Sequence, residues 1–384
     1  MISFYYNILI EYNTMSAFSF KNVMTTLTKK DQEIHKIANR YSFEIHHMDL
    51  AIVNSMRRVI LAEIPMLGFM GEDDVSIKIE KNNGPLHNEF MIHRIGMIPI
   101  HFTEEELEGF VENEWEFSMD LKNVNTSIQN VTTHDFKGKH NGIEVTERDI
   151  KRLFPVNSVT KRPILLTRLR QGEELAFKAM VVKKVAKDHA SFSAVSLCAF
   201  FYVQDSVKNK DVKDILQKER NYLKNDYGEP TILQFAIEPE TGLEPKYIVA
   251  KSLEILRTKT ETIDRELDVQ GSTKIELRPH EEIADTYDLH VFHEDDTFGN
   301  LFQSIIHSEF IRQTKKILDN KFEMTYIGYY APHPLDPKIV IRMTLKNSEN
   351  IRPTAIEFKA AYKHCLRLVS NQLKEVYDAW IRFE

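Results

Sequence analysis

The order strand, helix, strands, helix occurs twice along this sequence, and such an internal repeat constrains the fold more than any other feature. The first occurrence opens at Phe43 and Ile45, which alternate with polar neighbours, and continues in an apolar run at helical spacing that ends at Pro65. The second opens at Leu289 and Val291 and leads into a second apolar helix face. Each copy alone would expose that face, so we expect the two copies to pack together as an intramolecular pseudo-dimer.

The repeat predicts an α+β fold with two dimerisation modules, each an antiparallel sheet with helices on one face. Short alternating runs inside the first copy predict a β-rich insertion domain, and a polar stretch without a sustained period predicts a linker between the copies. The predicted divisions are an N-terminal extension at 1–39, a first module at 40–111 and 227–258, the insertion at 112–208, a charged connecting segment at 209–226, the linker at 259–285 and a second module at 286–384.

Residues at the predicted helix starts and turns have expected structural roles. Asp49 should cap the first helix, because its carboxylate can accept hydrogen bonds from the free amides of the first turn. In the second copy the same role is predicted for Asp296 or Thr297. A proline-rich turn that contains His333 and Pro334 is expected to hold two strands in register.

The apolar faces of the predicted helices define the expected pseudo-dimer interface. Gly299 stands in the first turn of a helix, where glycine costs up to about 1 kcal/mol relative to alanine, and this favours a close approach by the partner helix. The terminal helix begins near Pro353 and presents a nearly heptad seam. The residues expected at this interface are Met56, Ile60, Phe298, Gly299, Phe302, Phe358, Tyr362 and Val369.

Charge and composition argue against several classes of function. Fifty Lys and Arg against 57 Asp and Glu give a net charge of −7, whereas a protein that binds nucleic acid on its own usually carries a basic excess. We expect no catalytic site, because the chain lacks a glycine-rich phosphate loop and a tight run of aspartates for magnesium. No apolar run approaches the ~20 residues that span a bilayer, so we expect an intracellular protein without membrane contact. Met1, Met15 or Met24 could be the working start.

The two cysteines, Cys198 and Cys365, are too few for a disulfide framework or a four-cysteine metal site. Both lie among apolar residues, which favours inert buried thiols over a thiol-dependent enzyme, the first alternative function. A free-standing DNA-binding transcription regulator is the second alternative. The acidic stretch from His293 to Asp296 is better explained by helix capping than by a metal site.

Three segments of the first copy carry a resemblance to a known family. They read DLAIVNSMRRVILAEIP at 49–65, NEFMIHRIGMIPI at 88–100 and KVAKDHASFS at 184–193. The first resembles the opening helix of the RNA polymerase alpha family, which includes the bacterial alpha subunit, the archaeal D subunit and the third-largest subunit of RNA polymerase II. The second resembles that family's His-Arg and Gly-x-Ile-Pro signature, and the third resembles the loop that ends its insertion domain.

The second copy resembles the smaller alpha-like partner, which is the archaeal L subunit and its eukaryotic counterpart. The segment EDDTFGNL at 294–301 is similar to that family's cap and helix start, and GYYAPHPL at 328–335 is similar to its proline-rich turn. A single chain that holds both partners resembles the fused subunit in polymerases of large cytoplasmic DNA viruses. A viral origin would place it in the cytoplasm of the infected host and in the virion.

The resemblance implies a non-catalytic platform on which a DNA-directed RNA polymerase assembles. Its implied partners are the two largest subunits (beta-like and beta-prime-like) and small subunits of the archaeal N and P type, with DNA contacted only through the complex. Many larger alpha-like subunits bind zinc or an iron–sulfur centre in the insertion. Only Cys198 lies in that region here, so no cofactor is carried over.

The resemblance also implies a contact with the beta-like subunit. Arginine suits such a contact because its planar fork holds carboxylates or carbonyls across an interface. For Arg57 and Arg58 the alternative is a solvated helix face, and for His93 and Arg94 it is support of the fold. The residues expected at this contact are Asn54, Arg57, Arg58, His93 and Arg94.

Overall fold

Two antiparallel sheets carry the helices through which the two halves of the chain meet. The computed structural model describes residues 19–22, 40–71, 76–157, 160–347 and 352–383. The alternative start residues lie outside these ranges, as does the predicted N-terminal extension except for residues 19–22.

Eighteen strands and eight α-helices form in the described ranges. The strands are β1 (Ser19–Asn22), β2 (Tyr41–His46), β3 (Met66–Gly68), β4 (Ile77–Asn82), β5 (Trp115–Lys122), β6 (Gln129–Thr132), β7 (Lys137–His140), β8 (Ile143–Glu144), β9 (Leu165–Leu169), β10 (Glu174–Met180), β11 (Val182–Lys184), β12 (Val195–Tyr202), β13 (Ile232–Pro239), β14 (Ile275–Pro279), β15 (Thr286–Phe292), β16 (Lys316–Ile317), β17 (Phe322–Tyr330) and β18 (Lys338–Asn347). The helices are α1 (Leu50–Ala62), α2 (Asn88–Gly96), α3 (Glu104–Glu108), α4 (Glu147–Leu153), α5 (Ile215–Arg220), α6 (Pro245–Glu266), α7 (Asp296–Ile306) and α8 (Ala355–Arg382).

The first sheet has the strand order β1-β2-β13-β12, with antiparallel neighbours. Phe43 and Ile45 of β2 and Phe235 of β13 are buried, as their alternation with polar residues predicts. Helix α1 packs on β12 and helix α6 packs on β13, so these two helices cover one face of the sheet.

The second sheet has the order β14-β15-β18-β17-β16 and is also antiparallel. The exposed turn around His333 and Pro334 joins β17 to β18, where the proline-rich segment predicted it. Ile339 and Ile341 of β18 are fully buried on the face that α7 covers. This half therefore repeats the arrangement of the first, a sheet with helices on one face.

The observed strand pairing does not follow the predicted bounds of the β-rich insertion. A five-stranded sheet has the order β4-β10-β5-β7-β8, so β4, which was assigned to the first module, pairs with a strand of the predicted insertion. Conversely, β12 falls within the predicted insertion at 112–208 but pairs with β13 of the first sheet. The prediction was wrong here because alternation along one strand does not reveal which strand pairs with it.

The predicted linker at 259–285 is also wrong, since helix α6 continues to Glu266 and β14 forms an edge of the second sheet. Tyr247 to Leu256 is predicted as a helix, but its continuation to Glu266 was missed because this part meets another helix through polar contacts. Ser370 of α8 donates a hydrogen bond to Glu261 (3.1 Å), and Arg367 pairs with Asp264 (3.3 Å). Where charged and polar side chains hold a helix against its partner, the apolar residues of that helix recur with only a weak helical period. Its sequence then resembles that of an irregular segment.

The helices of the two halves pack directly against one another. Helix α1 of the first half contacts α7 of the second, and α6 of the first contacts α8 of the second. Helix α8 is long, and its buried side chains follow one stripe from Phe358 to Trp380. None of the helices in the described residues is long and apolar enough to cross a membrane.

Candidate assembly interface

The contact between α1 and α7 is pinned by hydrogen bonds that cross from one half of the chain to the other. Asp49 caps α1 by accepting from the amide of Ala51 (2.7 Å), and its two carboxylate oxygens also accept from the Ser304 hydroxyl on α7 (3.1 and 2.9 Å). Farther along α1, the Ser55 hydroxyl donates to the carbonyl of Thr297 (3.3 Å). The side chain that caps one helix therefore also aligns it with the other.

The cap of α7 is Asp295, so the predicted cap at Asp296 or Thr297 is wrong. The Asp295 carboxylate accepts from the amide of Thr297 (2.8 Å), and the backbone of Asp295 is extended, as a residue just before a helix requires. Thr297 is already inside the first turn, and its hydroxyl accepts instead from the guanidinium of Arg58 (2.7 Å). The sequence alone does not show which of the three consecutive acids Glu294, Asp295 and Asp296 caps the helix.

Arg57 and Arg58 sit on the outer edge of α1 with different partners. The Arg57 guanidinium donates twice to the Asn54 amide oxygen one turn earlier (3.1 and 3.0 Å), and both side chains are half-buried. Arg58 is more exposed and reaches across to Thr297 and Asp295 of the second half. Arg57 is therefore held in place by its own helix, whereas Arg58 is occupied by the contact between the halves.

His93 and Arg94 lie on the exposed face of α2. The Arg94 guanidinium donates to the carbonyls of Leu166 (3.0 Å) and Leu165 (2.8 Å) in β9, so it links α2 to this strand. No comparable bond involves His93 in the hydrogen-bond network of the described residues. These two bonds favour the alternative interpretation of Arg94, which is support of the fold.

The residues predicted for the pseudo-dimer interface fall into two groups. Four of them are buried on α1 and α7, which pack together, and Val369 is buried on α8, which packs on α6. Phe358 and Tyr362 instead anchor α8 to its own sheet, through a ring stack of Phe358 on Tyr287 (4.4 Å) and a Tyr362 hydroxyl within hydrogen-bond distance of the Ile341 carbonyl (2.8 Å). The four residues buried on α1 and α7 are Met56, Ile60, Phe298 and Phe302.

Gly299 allows a close approach, but the approaching group is not the partner helix that the sequence predicted. A methyl group at Gly299 would lie 2.3 Å from a ring carbon of Tyr329, which belongs to β17 of the same half. The expectation of a helix-helix contact at this residue is therefore wrong. The absence of a side chain lets α7 lie flat on its own sheet.

We expect Gly299→Ala to lower the free energy of unfolding by about 1 to 2 kcal/mol, because the clash with Tyr329 costs more than the better helix propensity of alanine returns. Chemical denaturation followed by circular dichroism measures this loss. In a Tyr329→Ala background the same change should become neutral or stabilising. An equal loss in both backgrounds would contradict the clash.

Trp380, near the end of α8, is a contact between the halves that sequence reasoning missed. Its buried indole packs against Phe43 of β2 (ring centroids 4.7 Å apart) and Phe20 of β1 (5.1 Å), and its N–H donates to the carbonyl of Lys246 on α6 (2.9 Å). The signal was present in the sequence, since Trp380 continues the heptad seam four residues beyond Val376.

A charged cluster of Lys259, Glu63 and Glu294 also joins the halves and also escaped prediction. The ammonium of Lys259 on α6 lies 2.8 Å from the carboxylate of Glu63, which follows α1, and 3.1 Å from that of Glu294, which precedes α7. All three side chains are largely buried, with less than one-fifth of each exposed. Burial raises the pKa of Glu294, and the Lys259 charge opposes that rise only in part. No sequence signal marks this cluster, because its members are separated along the chain.

The cysteines and acidic residues lack the surroundings of a reactive centre. Burial raises the pKa of Cys198 to about 12 and raises the pKa of Cys365 as well, so both thiols are protonated near neutral pH. Across the described ranges, no three side chains of the His, Cys, Asp or Glu type converge as a metal site would need.

Comparison with known proteins identifies the fold around this interface. The sequence profile of the RNA polymerase Rpb3/Rpb11 dimerisation domain matches residues 42–260, more than half of the chain. "DNA-directed RNA polymerases II, IV and V subunit 3" of Arabidopsis thaliana is 28% identical over 201 residues, which are 49% of this chain and 61% of that protein. Fission yeast "DNA-directed RNA polymerase II subunit RPB3" is 26% identical over 267 residues, 62% of this chain and 86% of the relative.

A third relative is a subunit of RNA polymerases I and III. "DNA-directed RNA polymerases I and III subunit RPAC1" of Bos taurus is 28% identical over 193 residues, 45% of this chain and 54% of that protein. The chain thus spans between about half and two-thirds of the Arabidopsis and bovine relatives. Because the profile matches more than half of the chain, including α1 and most of α6, this chain belongs to the RNA polymerase Rpb3/Rpb11 dimerisation-domain family.

Proposed function

We propose that this chain is a non-catalytic assembly subunit of a DNA-directed RNA polymerase, and that it holds both alpha-like partners in one polypeptide. Its two halves form the platform on which the beta-like and then the beta-prime-like subunit dock, with small subunits of the archaeal N and P type alongside. The family match and the polymerase relatives support the assembly role.

The single observation that carries the fusion is the pairing of α1 with α7 and of α6 with α8. The family profile ends at residue 260, inside α6, yet the chain continues into a second sheet and two more helices that cover α1 and α6. A family domain that dimerises needs a partner helix pair, and residues 286–384 supply one within the same chain. Joining the partners raises their effective concentration and fixes a one-to-one ratio.

The decisive test is purification of the tagged chain from its native source, with the stoichiometry of bound proteins determined by mass spectrometry. Two very large polymerase subunits in one copy each, without a separate alpha-like partner, would be the expected result. A monomer or homodimer that carries neither large subunit would overturn the proposal. The proposed kinship with fused subunits of large cytoplasmic DNA viruses has its own test. It predicts that the chain is present in purified virions and in the cytoplasm of infected cells.

We expect Arg57→Glu to leave the chain folded and to lower recovery of the assembled polymerase about tenfold, because a reversed charge at a docking contact weakens association without opening the core. Arg57 bonds only to Asn54 on its own helix among the bonds described for it, so its loss removes no contact between the halves. Thermal unfolding and quantitative co-purification measure the two effects.

Arg148→Glu provides a matched control for this charge reversal, because Arg148 is exposed on α4 of the insertion, away from α1. The control should assemble like the wild type. Full assembly of the Arg57 variant would exclude Arg57 as a docking residue, and its failure to fold would contradict the expectation that the chain stays folded.

Each alternative function has a direct test. A free-standing DNA-binding regulator would bind duplex DNA as an isolated chain, with an affinity that falls steeply as salt rises. A thiol-dependent enzyme would lose its activity on Cys198→Ser or Cys365→Ser, whereas a protein with inert thiols would not. The net charge and the raised thiol pKa values favour the assembly subunit over both.

A further inference from the structure

A cavity of about 300 Å³ lies where the end of α2 meets the first sheet. It is lined by the segment that follows α2, by the short turn before β12 and by the turn that follows β13. Ile98, Ile100 and Val195 give it apolar walls, and the exposed residues Met97 and Ser196 stand at its opening. Its size suits one or two large side chains better than a cofactor.

Two polar groups in this cavity lack partners among the described residues. The Thr241 hydroxyl oxygen is buried and makes no hydrogen bond. Its neighbour Glu240 forms no ion pair with a lysine or arginine in the described ranges. Burial lowers the pKa of His101, which is close enough to sense the Glu240 charge, so that imidazole does not neutralise the carboxylate at pH 7. A buried hydroxyl without a hydrogen bond is costly unless a ligand completes it, and the exposed carboxylate of Glu240 next to it places a negative charge at the opening of the cavity.

We infer that this cavity receives a lysine or arginine side chain from an extended segment of a partner protein. The aliphatic stem would lie along Ile98, Ile100 and Val195, and the cationic head would donate to the Glu240 carboxylate and the Thr241 hydroxyl. An acidic side chain is repelled by Glu240, and an apolar one leaves the buried Thr241 hydroxyl without a hydrogen bond. The inference deepens the proposed function and rests on it, since the partner is another subunit of the assembly.

The surface next to the cavity favours a segment of a partner protein as the ligand over a small free amine. Phe90 on α2 and Met97, the residue that follows this helix, lie seven residues apart, and each exposes about three-fifths of its surface. Aromatic and methionine side chains on an exposed face are typical of protein interfaces. The apolar surface thus continues from the cavity mouth along α2, as a bound polypeptide requires.

The test uses complexes purified through the tagged full-length chain, washed at increasing salt. We expect Glu240→Gln to release the partner about tenfold faster than the wild type, because a neutral amide keeps the shape but loses the charge. Glu112→Gln is the matched control, since Glu112 is exposed outside the cavity, and it should behave like the wild type. Thr241→Val should weaken retention too, while the isolated chain melts at the same or a higher temperature.

A photo-crosslinking residue, p-benzoylphenylalanine in place of Met97, then identifies the occupant by mass spectrometry. Crosslinks to a partner segment with a lysine or arginine would establish the inference. Retention of the partner by both variants, crosslinks to segments without a basic residue, or crosslinks within the chain alone would overturn it while leaving the proposed function intact. A wild-type chain that recovers no polymerase subunit would overturn both.

Discussion

Trp380→Ala should lower the free energy of unfolding by about 4 kcal/mol, the largest effect that we expect from a single substitution outside a sheet. The indole is buried between the halves, and its removal leaves a cavity against Phe43 and Phe20 and deletes the hydrogen bond to the Lys246 carbonyl. The cavity opens at the contact between the halves, because its walls come from a sheet and a helix of the first half whereas Trp380 belongs to the second. Denaturant unfolding followed by circular dichroism measures the loss.

Two further variants separate packing from simple helix effects. Ile381→Ala is the matched control, since Ile381 is the next residue of the same helix and is 45% exposed, and we expect a change within about 0.5 kcal/mol. Trp380→Phe keeps much of the packing and loses the hydrogen bond, so its loss should fall between the two. Similar losses for Trp380→Ala and Ile381→Ala would show that Trp380 does not hold the halves together.

We expect Lys259→Met to cost about 3 kcal/mol at neutral pH, because it leaves two largely buried carboxylates, Glu63 and Glu294, without their common cation. Burial alone would lower the pKa of Lys259, but the charges and hydrogen bonds of Glu294 and Glu63 outweigh burial and raise it. The wild-type lysine therefore stays charged at neutral pH. Lys246→Met is the matched control, since Lys246 is exposed on the same helix.

The cost of Lys259→Met should shrink as the pH falls. Without the lysine, the pKa of Glu294 rises further above its ordinary value of 4.5, where burial already holds it. A group with a raised pKa in the folded state favours folding below its unfolded pKa, and this contribution is lost as the pH rises through the folded pKa. The variant should therefore approach the wild type near pH 5 and fall furthest behind it near pH 8.

Unfolding free energies of both proteins at these two pH values provide the measurement. Adding Glu294→Gln to the lysine variant should restore much of its stability at pH 8 and remove most of its pH dependence. A deficit that stays constant between pH 5 and pH 8 would mean that the Lys259 cluster contributes through packing and not through charge.

The sequence by itself determined the features that depend on neighbours along the chain. Alternating residues such as Phe43 and Ile45 predicted the strands, and helical spacing with Asp49 before it predicted α1 and its cap. The repeat of this order predicted two similar halves, and the motifs at 49–65 and 88–100 identified the family before any coordinates. These properties follow from side-chain periods of 2 and 3.6 residues and from capping, which are local.

Only the tertiary structure decided which surfaces meet. It joined β4 to the insertion and β12 to the first sheet, extended α6 through a polar stretch, and turned Phe358 and Tyr362 toward their own sheet. It also brought Lys259 to Glu63 and Glu294, and Trp380 to Phe43. The residues of the Lys259–Glu63 and Trp380–Phe43 pairs are nearly 200 residues or more apart along the chain. Such contacts depend on strand pairing and helix docking between distant segments, and no local period in a sequence encodes the partner.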